Sequence, residues 1–477
     1  MALALFLVPL LLAGVAFALP SERWRPWLVT LGGALHLVMV LVVLQQPGVS
    51  AFDGWLLLDP VGRLILALVS VLFFFCSLYA PGYLALRPER SNRVFCACLL
   101  AFLGTTTLMT EAHHLGLMWV TLEATTLVST PMLYFNRNRR SLEATWKYLL
   151  MGSVGIALAL LGSLFLAYAA FSQGLETSLL FEDLVREAPQ LSRPWLESAF
   201  LLLLVGYGTK MGLAPMHTWK PDAYGESPGL VGALLAGGLT SCAFLALLRF
   251  YQICSAAGGV ELVRQLMVAI GLLSIAVAGV FMARQRDFKR MLAYSSVEHM
   301  GILVLGMGIG GAAVFGALLH LVNNALTKGV LFLSAGNIHR AYGSKLTVGV
   351  SGALRRVPVS AALFVAGFFA ITGSPPFGPF LSELTILRAA VDGGLLTVAA
   401  LLLVLLFVVF VGMGATVLSV VQGEPSPAAA DTPFRDGALT VGPAIALLLI
   451  VLVLGLYIPP PLDALLRDAA RFVEGTS

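Results

Sequence analysis

The sequence predicts an all-α polytopic membrane protein of about fourteen transmembrane helices, built as two inverted five-helix repeats with discontinuous helices 7 and 12. Three observations predict it. Of 477 residues, 58% are hydrophobic and 11% are charged, with a mean hydropathy of +0.91; soluble domains run near 45–50% and about 25%. Apolar runs of the ~17–25 residues needed to cross a bilayer recur along the whole chain. Two of those runs break: LLLLVGYGTKMGLAPMHTWKPDAYGESPGLVGALLAG (201–237) carries Lys210, and AITGSPPFGPFLSELTILRA (370–389) carries Glu383 just past its break.

The runs lie in 2–19, 27–44, 61–84, 94–111, 115–135, 145–171, 196–220, 229–253, 265–283, 292–309, 312–336, 358–388, 394–421 and 438–458. The first has no basic segment before it and continues into further spans, so it reads as a transmembrane helix and not as a cleaved signal. This organises the chain as helices 1–3 (1–93), a first repeat of helices 4–8 (94–253), a second of helices 9–13 (264–421), and a last helix with a C-terminal tail (438–477). The longest polar connections are 172–195 and 422–437; no stretch is polar enough for a separate soluble domain.

Basic residues set the orientation. Loops leaving odd-numbered spans hold Arg23 and Arg25, then Arg87, Arg90 and Arg93, then Arg137, Arg139, Arg140 and Lys147, then Arg284, Arg286, Lys289 and Arg290, and finally Arg340, Lys345, Arg355 and Arg356. The other side has chiefly Arg186, Arg193 and Arg264. The positive-inside rule puts the first set in the cytoplasm of a bacterial or archaeal plasma membrane and both termini outside. The net charge of +4 comes with no acidic tail or basic arm that would point to nucleic acid. Cys76, Cys96, Cys98, Cys242 and Cys254 all fall in or beside apolar stretches and read as packing residues.

The seventh and twelfth helices are five spans apart, so they run in opposite directions, as an inverted repeat requires. Pro215 and Pro221 make the first break; Gly373, Pro375, Pro376, Gly378 and Pro379 make the second. Broken backbone at membrane depth must line a protein-enclosed or watery space. An ammonium near mid-bilayer costs about 2.5–3.5 kcal/mol, which marks Lys210 as functional. Glu123 lies about 12 Å inside its helix; it is either a structurally tied, protonated carboxyl or a partner of Lys210, and pairing offsets the burial of both. Beyond the first break come His217, Lys220, Asp222 and Glu226, with His217 and Asp222 either bracing the broken helix or handling protons. In HLVNNALTKGVLF (320–332), His320, Asn324, Thr327 and Lys328 share one face of an apolar helix, a pattern that favours a relay over core packing. Glu383 is either a carboxylate at the membrane end or the last group of that relay.

The stretches TKMGLAPMHTWKPDAYGESPG (209–229), QRDFKRMLAYSSVEHMG (285–301), HLVNNALTKGVLFLSAGN (320–337) and TGSPPFGPFLSEL (372–384) resemble the antiporter-like proton-channel family. That family spans membrane subunits of respiratory complex I, Mrp cation/proton antiporters and membrane-bound hydrogenases; the SSVEHMG and NALTKGVLF wording is most similar to its hydrogenase-4 component F group. The resemblance implies a coupled pair of Glu123 and Lys210, an eleventh-helix lysine at Lys328, and an exit-end residue at Glu383. Many complex I members carry a lysine in the eighth helix, where LTSCAFLALLRF (239–250) offers Thr240 and Ser241; the central link is then expected through water, hydroxyls or His320. The family's eleventh-helix histidine falls at Asn324, with His320 one turn earlier. The chain resembles the shorter members, without a long extra amphipathic helix and anchor.

The expected function is proton translocation by a subunit with no redox centre of its own, itself non-catalytic, in a group 4 NiFe hydrogenase or formate hydrogenlyase type complex. No residue set suits an iron–sulfur cluster, haem or zinc, so no cofactor or metal is expected. Energy must come from other membrane subunits and a cytoplasmic redox module. Two alternatives use the same residues: an Mrp-type module exchanging sodium for protons, and a membrane subunit of an energy-coupled carbon dioxide uptake complex. A structural scaffold has no need of so many buried ionisable groups.

Overall fold

The computed structural model describes residues 1–46, 48–175, 178–426 and 432–475. Pro427 and the middle of the 422–437 connection lie outside them. Twenty α-helices account for most of the described residues. They are α1 Ala2–Ala18, α2 Arg25–Val43, α3 Pro60–Ala85, α4 Arg93–Glu111, α5 Leu115–Leu133, α6 Arg139–Phe171, α7 Phe181–Glu187, α8 Arg193–Met211, α9 Trp219–Glu226 and α10 Gly229–Leu234, followed by α11 Thr240–Ala256, α12 Val260–Met282, α13 Phe288–Ile309, α14 Ala312–Tyr342, α15 Ala353–Arg356, α16 Pro358–Ile371, α17 Gly378–Asp392, α18 Leu396–Val421, α19 Ala438–Leu456 and α20 Pro460–Glu474. A two-residue strand pair, Ser50–Ala51 with Leu56–Leu57, is the one sheet among the described residues.

Among the described residues, ten helical runs are long and apolar enough to cross a bilayer, counting α10 and α11 as one run, Gly229–Ala256. The other expected spans are α1, α5 and the broken pairs α8–α9 and α16–α17. Burial separates an inner from an outer layer. The most apolar window of Gly229–Ala256 is wholly buried, whereas that of α18 is 28% buried. Helices α13 and α14 belong with the inner run, and α2, α6, α12 and α19 with the outer shell. A helix buried all round can carry polar side chains that lipid never meets, which is where the ionisable residues of α13 and α14 lie.

Two local features go beyond the sequence reading. In the tail, Pro459–Pro460 starts α20, which buries Leu466, Ala469, Ala470 and Val473 on one face and turns Arg467, Asp468 and Arg471 outward. Its 15 residues alternate with a helical period that a hydropathy window averages away. The Gln252 side chain donates to the carbonyl of Phe472 at 2.7 Å and fixes α20 to α11. The 172–195 connection likewise contains α7.

Candidate functional site

The first break begins where Gly212 adopts φ +76° and ends α8 in a left-handed cap. The amide groups freed by the break stay satisfied: the Trp219 indole donates to the carbonyl of Thr209 at 2.8 Å, and the Ala214 N–H donates to Ser274 Oγ at 3.0 Å. Lys210 sits in the last turn of α8, 1% exposed. Its Nζ donates to Glu123 Oε2 of α5 at 2.9 Å and to Thr126 Oγ1. On α6, a Cβ at Gly152 would lie 3.1 Å from that Nζ, so glycine there leaves room for the ammonium. Glu123 keeps 19% of its side chain exposed, which puts the pair at the margin of the buried region.

Beyond the break, Lys220 of α9 is fully buried and its stem lies back over Gly212. Its Nζ donates to Ser296 Oγ at 3.1 Å. The neighbouring hydroxyl, Ser295 Oγ, receives Lys328 Nζ of α14 at 2.7 Å, and Lys328 also donates to the carbonyl of Leu292 at 3.3 Å. Two buried lysines thus meet adjacent serines on α13. One turn on, Glu298 and His299 follow, both buried, with His299 Nε2 3.7 Å from Glu298 Oε2.

His299 Nδ1 and His320 Nε2 are 2.9 Å apart, and His320 Nδ1 is 2.9 Å from Ser382 Oγ on α17. Glu383 joins them: one potential ligand atom each of His299, His320 and Glu383 lies within 4.8 Å of the others. Its carboxylate occupies the space over Gly373, where a Cβ would overlap Oε2. An imidazole accepts at one nitrogen while it donates at the other, so two hydrogen-bonded imidazoles can pass a proton by exchanging tautomers. The set can therefore carry protons among amine, imidazole and carboxyl groups. As a metal centre it is poorly prepared, because three of the four imidazole nitrogens already face His299, His320 or Ser382.

The remaining predicted residues divide. Thr327 Oγ1 donates to its own helix at Asn323 O, 2.7 Å away. Both amide atoms of Asn324 are buried and meet no hydrogen-bonding protein group among the described residues. Asp222 accepts from Lys147 at 2.8 Å and lies 3.1 Å from Arg290, and Glu226 accepts from Lys345 at 2.6 Å. Those ion pairs tie α9 to α6, to α13 and to the loop after α14. His217 packs near the Phe281 and Tyr294 rings, 6.4 and 6.2 Å away between centroids. Ser241 Oγ donates to Gly237 O at 2.5 Å and Thr240 Oγ1 to Ala236 O at 2.7 Å, where one π-helical turn, Leu235–Leu239, interrupts the run. Those hydroxyls donate to backbone, whereas Lys220 reaches Ser296, the neighbour of the serine that receives Lys328.

Sequence reasoning left Glu298, His299, Ser295, Ser296 and Ser382 out of the site and passed over Lys220. A signal existed: YSSVEHMG (294–301) puts two ionisable residues inside an apolar helix. A separate buried cluster joins α3, α4 and α11: Asp59 Oδ2 lies 2.8 Å from His113 Nε2 and 2.9 Å from Arg249 Nη2. Burial alone would raise the Asp59 pKa, but Arg249 and His113 hold it below the usual carboxylate range. The guanidinium also donates to the carbonyls of Ala112 and Thr110 at the end of α4, which makes the cluster a tie between helix ends.

Comparison with known proteins places this geometry in context. The profile of the transmembrane family described as NADH:quinone oxidoreductase/Mrp antiporter matches residues 112–410. A hydrogenase-4 component F homologue from Methylacidiphilum infernorum is 35% identical over 475 residues, covering 96% of this chain and 97% of the relative. Subunit N of the NADH-quinone oxidoreductase of Desulforudis audaxviator is 31% identical, covering 85% of this chain and 82% of its own. Among solved structures, a chain of the membrane-bound sulfane sulfur reductase, an archaeal respiratory membrane complex, has the same fold, with a TM-score of 0.87, 22% identity, and coverage of 99% of this chain and 97% of the other.

Proposed function

The chain belongs to the NADH:quinone oxidoreductase/Mrp antiporter family of membrane proteins, and we propose that it translocates protons as a membrane subunit of an energy-converting redox complex. The likeness to a hydrogenase-4 component F homologue along nearly the full length of both chains favours a group 4 NiFe hydrogenase or formate hydrogenlyase type of assembly. In this reading the chain crosses the membrane fourteen times, with helices 4–8 and 9–13 as inverted repeats and both termini outside. Other membrane subunits flank it, and a cytoplasmic redox module supplies the energy.

The observation that carries the reading is the line of buried groups across the inner helices. It consists of two stretches, Glu123 with Lys210 ahead of the first break and Lys220, Ser296 and Ser295, Lys328, Glu298 and His299, His320, Ser382 and Glu383 beyond it, and we read the Gly212 break as the link between them. Buried ionisable side chains inside a membrane are costly, which favours a charge-exchanging role for a set that extends over several inner helices. The breaks in α8–α9 and α16–α17 serve this line in the same way, since each supplies a positively twisted glycine over which an ionisable side chain lies.

The mechanism follows from charge coupling. A unit charge moved to about 4 Å from an ammonium shifts its energy by about 4 kcal/mol at an effective dielectric of 20. That is enough to decide whether a lysine holds its proton. When a neighbouring subunit changes the charge felt by Glu123, Lys210 is freed from its partner or bound to it. Its changed charge acts on Lys220 and Lys328, whose proton can pass through the serine hydroxyls to Glu298 and His299. His299 hands a proton to His320 Nε2, His320 releases one from Nδ1 towards Ser382, and Glu383 gives it up beyond the second break. Lysine suits the first part because its affinity for a proton falls readily on desolvation.

The test is the complete complex in vesicles with Lys210→Ala. Redox-driven proton uptake is expected to fall by at least about tenfold while the subunit still assembles. Normal proton uptake would take Lys210 off the path. Dependence of the signal on sodium in place of protons would move the reading to cation exchange.

A further inference from the structure

The ends of α3, α5 and α14 that carry the basic loops enclose a cavity of about 340 Å³, lined by Arg87, Asn136, Lys289, His339 and Arg340 and closed on one side by Phe434. A second cavity of about 330 Å³ shares Arg87, Asn136 and His339 and adds Arg90, Arg140 and Lys345. Lys289 is 1% exposed and donates to the carbonyl of Ser227. Among the described residues no carboxylate lies within ion-pair distance of it, because Glu226 and Asp287 are taken by Lys345 at 2.6 and 3.0 Å. Glu89, at 3.5 Å from Arg87 and 3.9 Å from Arg90, is half exposed. The Nε atoms of Arg87 and Arg90 are buried and make no hydrogen bond among the described residues. A buried excess of cationic donors around an open volume is a site for an anion with several acceptor oxygens.

The surroundings say which anion. A groove of about 420 Å³ adjoins the cavities and shares Arg87 and Arg90 with them. Its walls also include the apolar Trp27, Pro81, Gly82, Leu84 and Leu439 and the polar Arg23, Asn92 and Glu22, the last paired with Arg25 at 2.7 Å. Trp24 and Trp27 are 62% and 44% exposed on that flank, where tryptophan marks the headgroup level of a bilayer. A basic pocket between helices that opens onto an apolar groove matches a headgroup followed by its acyl chain. We propose that the cavity holds the phosphodiester headgroup of an anionic phospholipid, with the acyl chain along the Trp27–Leu439 groove. The occupant neutralises Lys289 and its neighbours and pins the ends of α3, α5 and α14 together. The proposal is independent of the proton line, and none of the residues it uses belongs to that line.

The test uses the full chain in nanodiscs of equal phosphatidylglycerol and phosphatidylcholine, read by native mass spectrometry. The wild type is expected to retain phosphatidylglycerol over phosphatidylcholine. Arg87→Gln combined with Arg340→Gln should lower that ratio by about tenfold, and Arg388→Gln, on an exposed helix face away from the cavity, should leave it unchanged. Added inorganic phosphate should not displace the lipid. Because the double variant could fail to fold, a second readout uses lipids brominated on the chain: brominated phosphatidylglycerol should quench tryptophan fluorescence more than brominated phosphatidylcholine, and Trp27→Phe should remove the difference. No lipid preference in the wild type, an unchanged ratio in a folded double variant, equal quenching by both lipids, or displacement by free phosphate would each overturn the proposal.

Discussion

Lys220 lies back across its own helix break against Gly212: a Cβ on that glycine would overlap Lys220 Cδ and Cε. Glu383 stands in the same relation to Gly373 at the second break. Both glycines have positive φ, +76° and +66°. Lys210, by contrast, precedes its break, while Glu383 follows its own. By position relative to the break, Lys220 matches Glu383, while Lys210 pairs with Glu123 ahead of the first break.

This relationship makes Gly212 a sensitive position. Gly212→Ala forces a side chain into the left-handed region, which costs about 1–2 kcal/mol, and pushes Lys220 off Ser296. Thermal unfolding in detergent should show the stability loss, and vesicle assays should show slowed proton movement. Gly14→Ala, where nothing lies within 4 Å of the added carbon, should do neither. If Gly212→Ala moves protons normally, the contact has no part in transfer.

The Glu123–Lys210 pair predicts a graded series. Glu123→Gln removes the charge and should impair redox-driven turnover strongly, while Glu123→Asp keeps a carboxylate that can still attract the ammonium and should impair it much less. Turnover measured on assembled complexes separates the two. Equal effects of both variants would mean that shape matters and charge does not.

Much of this was legible in the sequence, for physical reasons. Apolar run lengths and the Gly/Pro clusters at 212–221 and 373–379 report directly on spans and breaks, and a lone charge in such a run, as at Lys210, stands out. The His320–Lys328 face was legible because both lie on one helix at helical spacing. The contacts of His299 with His320 and of Ser382 with His320 were not, since they join α13, α14 and α17, and a single sequence carries no distance between helices. Ser241 misled because a hydroxyl in a helix can turn either to a neighbour or to its own backbone, and the π-helical turn at Leu235–Leu239 decided for the backbone. The amphipathic α20 escaped because it is neither long nor apolar on average.

The far end of the line predicts a split between Ser382 and Glu383. Ser382→Ala removes one hydrogen bond to His320, worth about 0.5–1.5 kcal/mol, and should slow proton transfer modestly. Glu383→Gln should slow it much more and leave the Glu123–Lys210 pair undisturbed, as judged by an unchanged carboxylate infrared band of Glu123. A larger effect from Ser382→Ala than from Glu383→Gln would place Glu383 outside the path.

The Asp59–His113–Arg249 cluster predicts a stability effect without a transport effect. Asp59→Asn leaves Arg249 buried without its counter-charge, and losing one partner of a buried pair costs about 3–5 kcal/mol. The depressed pKa of Asp59 gives the sign with pH. Its contribution is present above the ordinary aspartate value of about 4 and is lost as pH falls through the lower folded value. Melting temperatures of wild type and Asp59→Asn should therefore differ clearly at neutral pH and converge in strong acid.

The central claim is that one line joins the Glu123–Lys210 pair to His320 and Glu383. The most direct test is the number of protons moved per electron pair by the complete complex in vesicles, compared among wild type, Lys210→Ala, His320→Ala and the double variant. Groups that act in series lose the same step once, so both single variants and the double should fall to one common reduced value. Two different single losses that add in the double variant would show two independent routes and contradict the account.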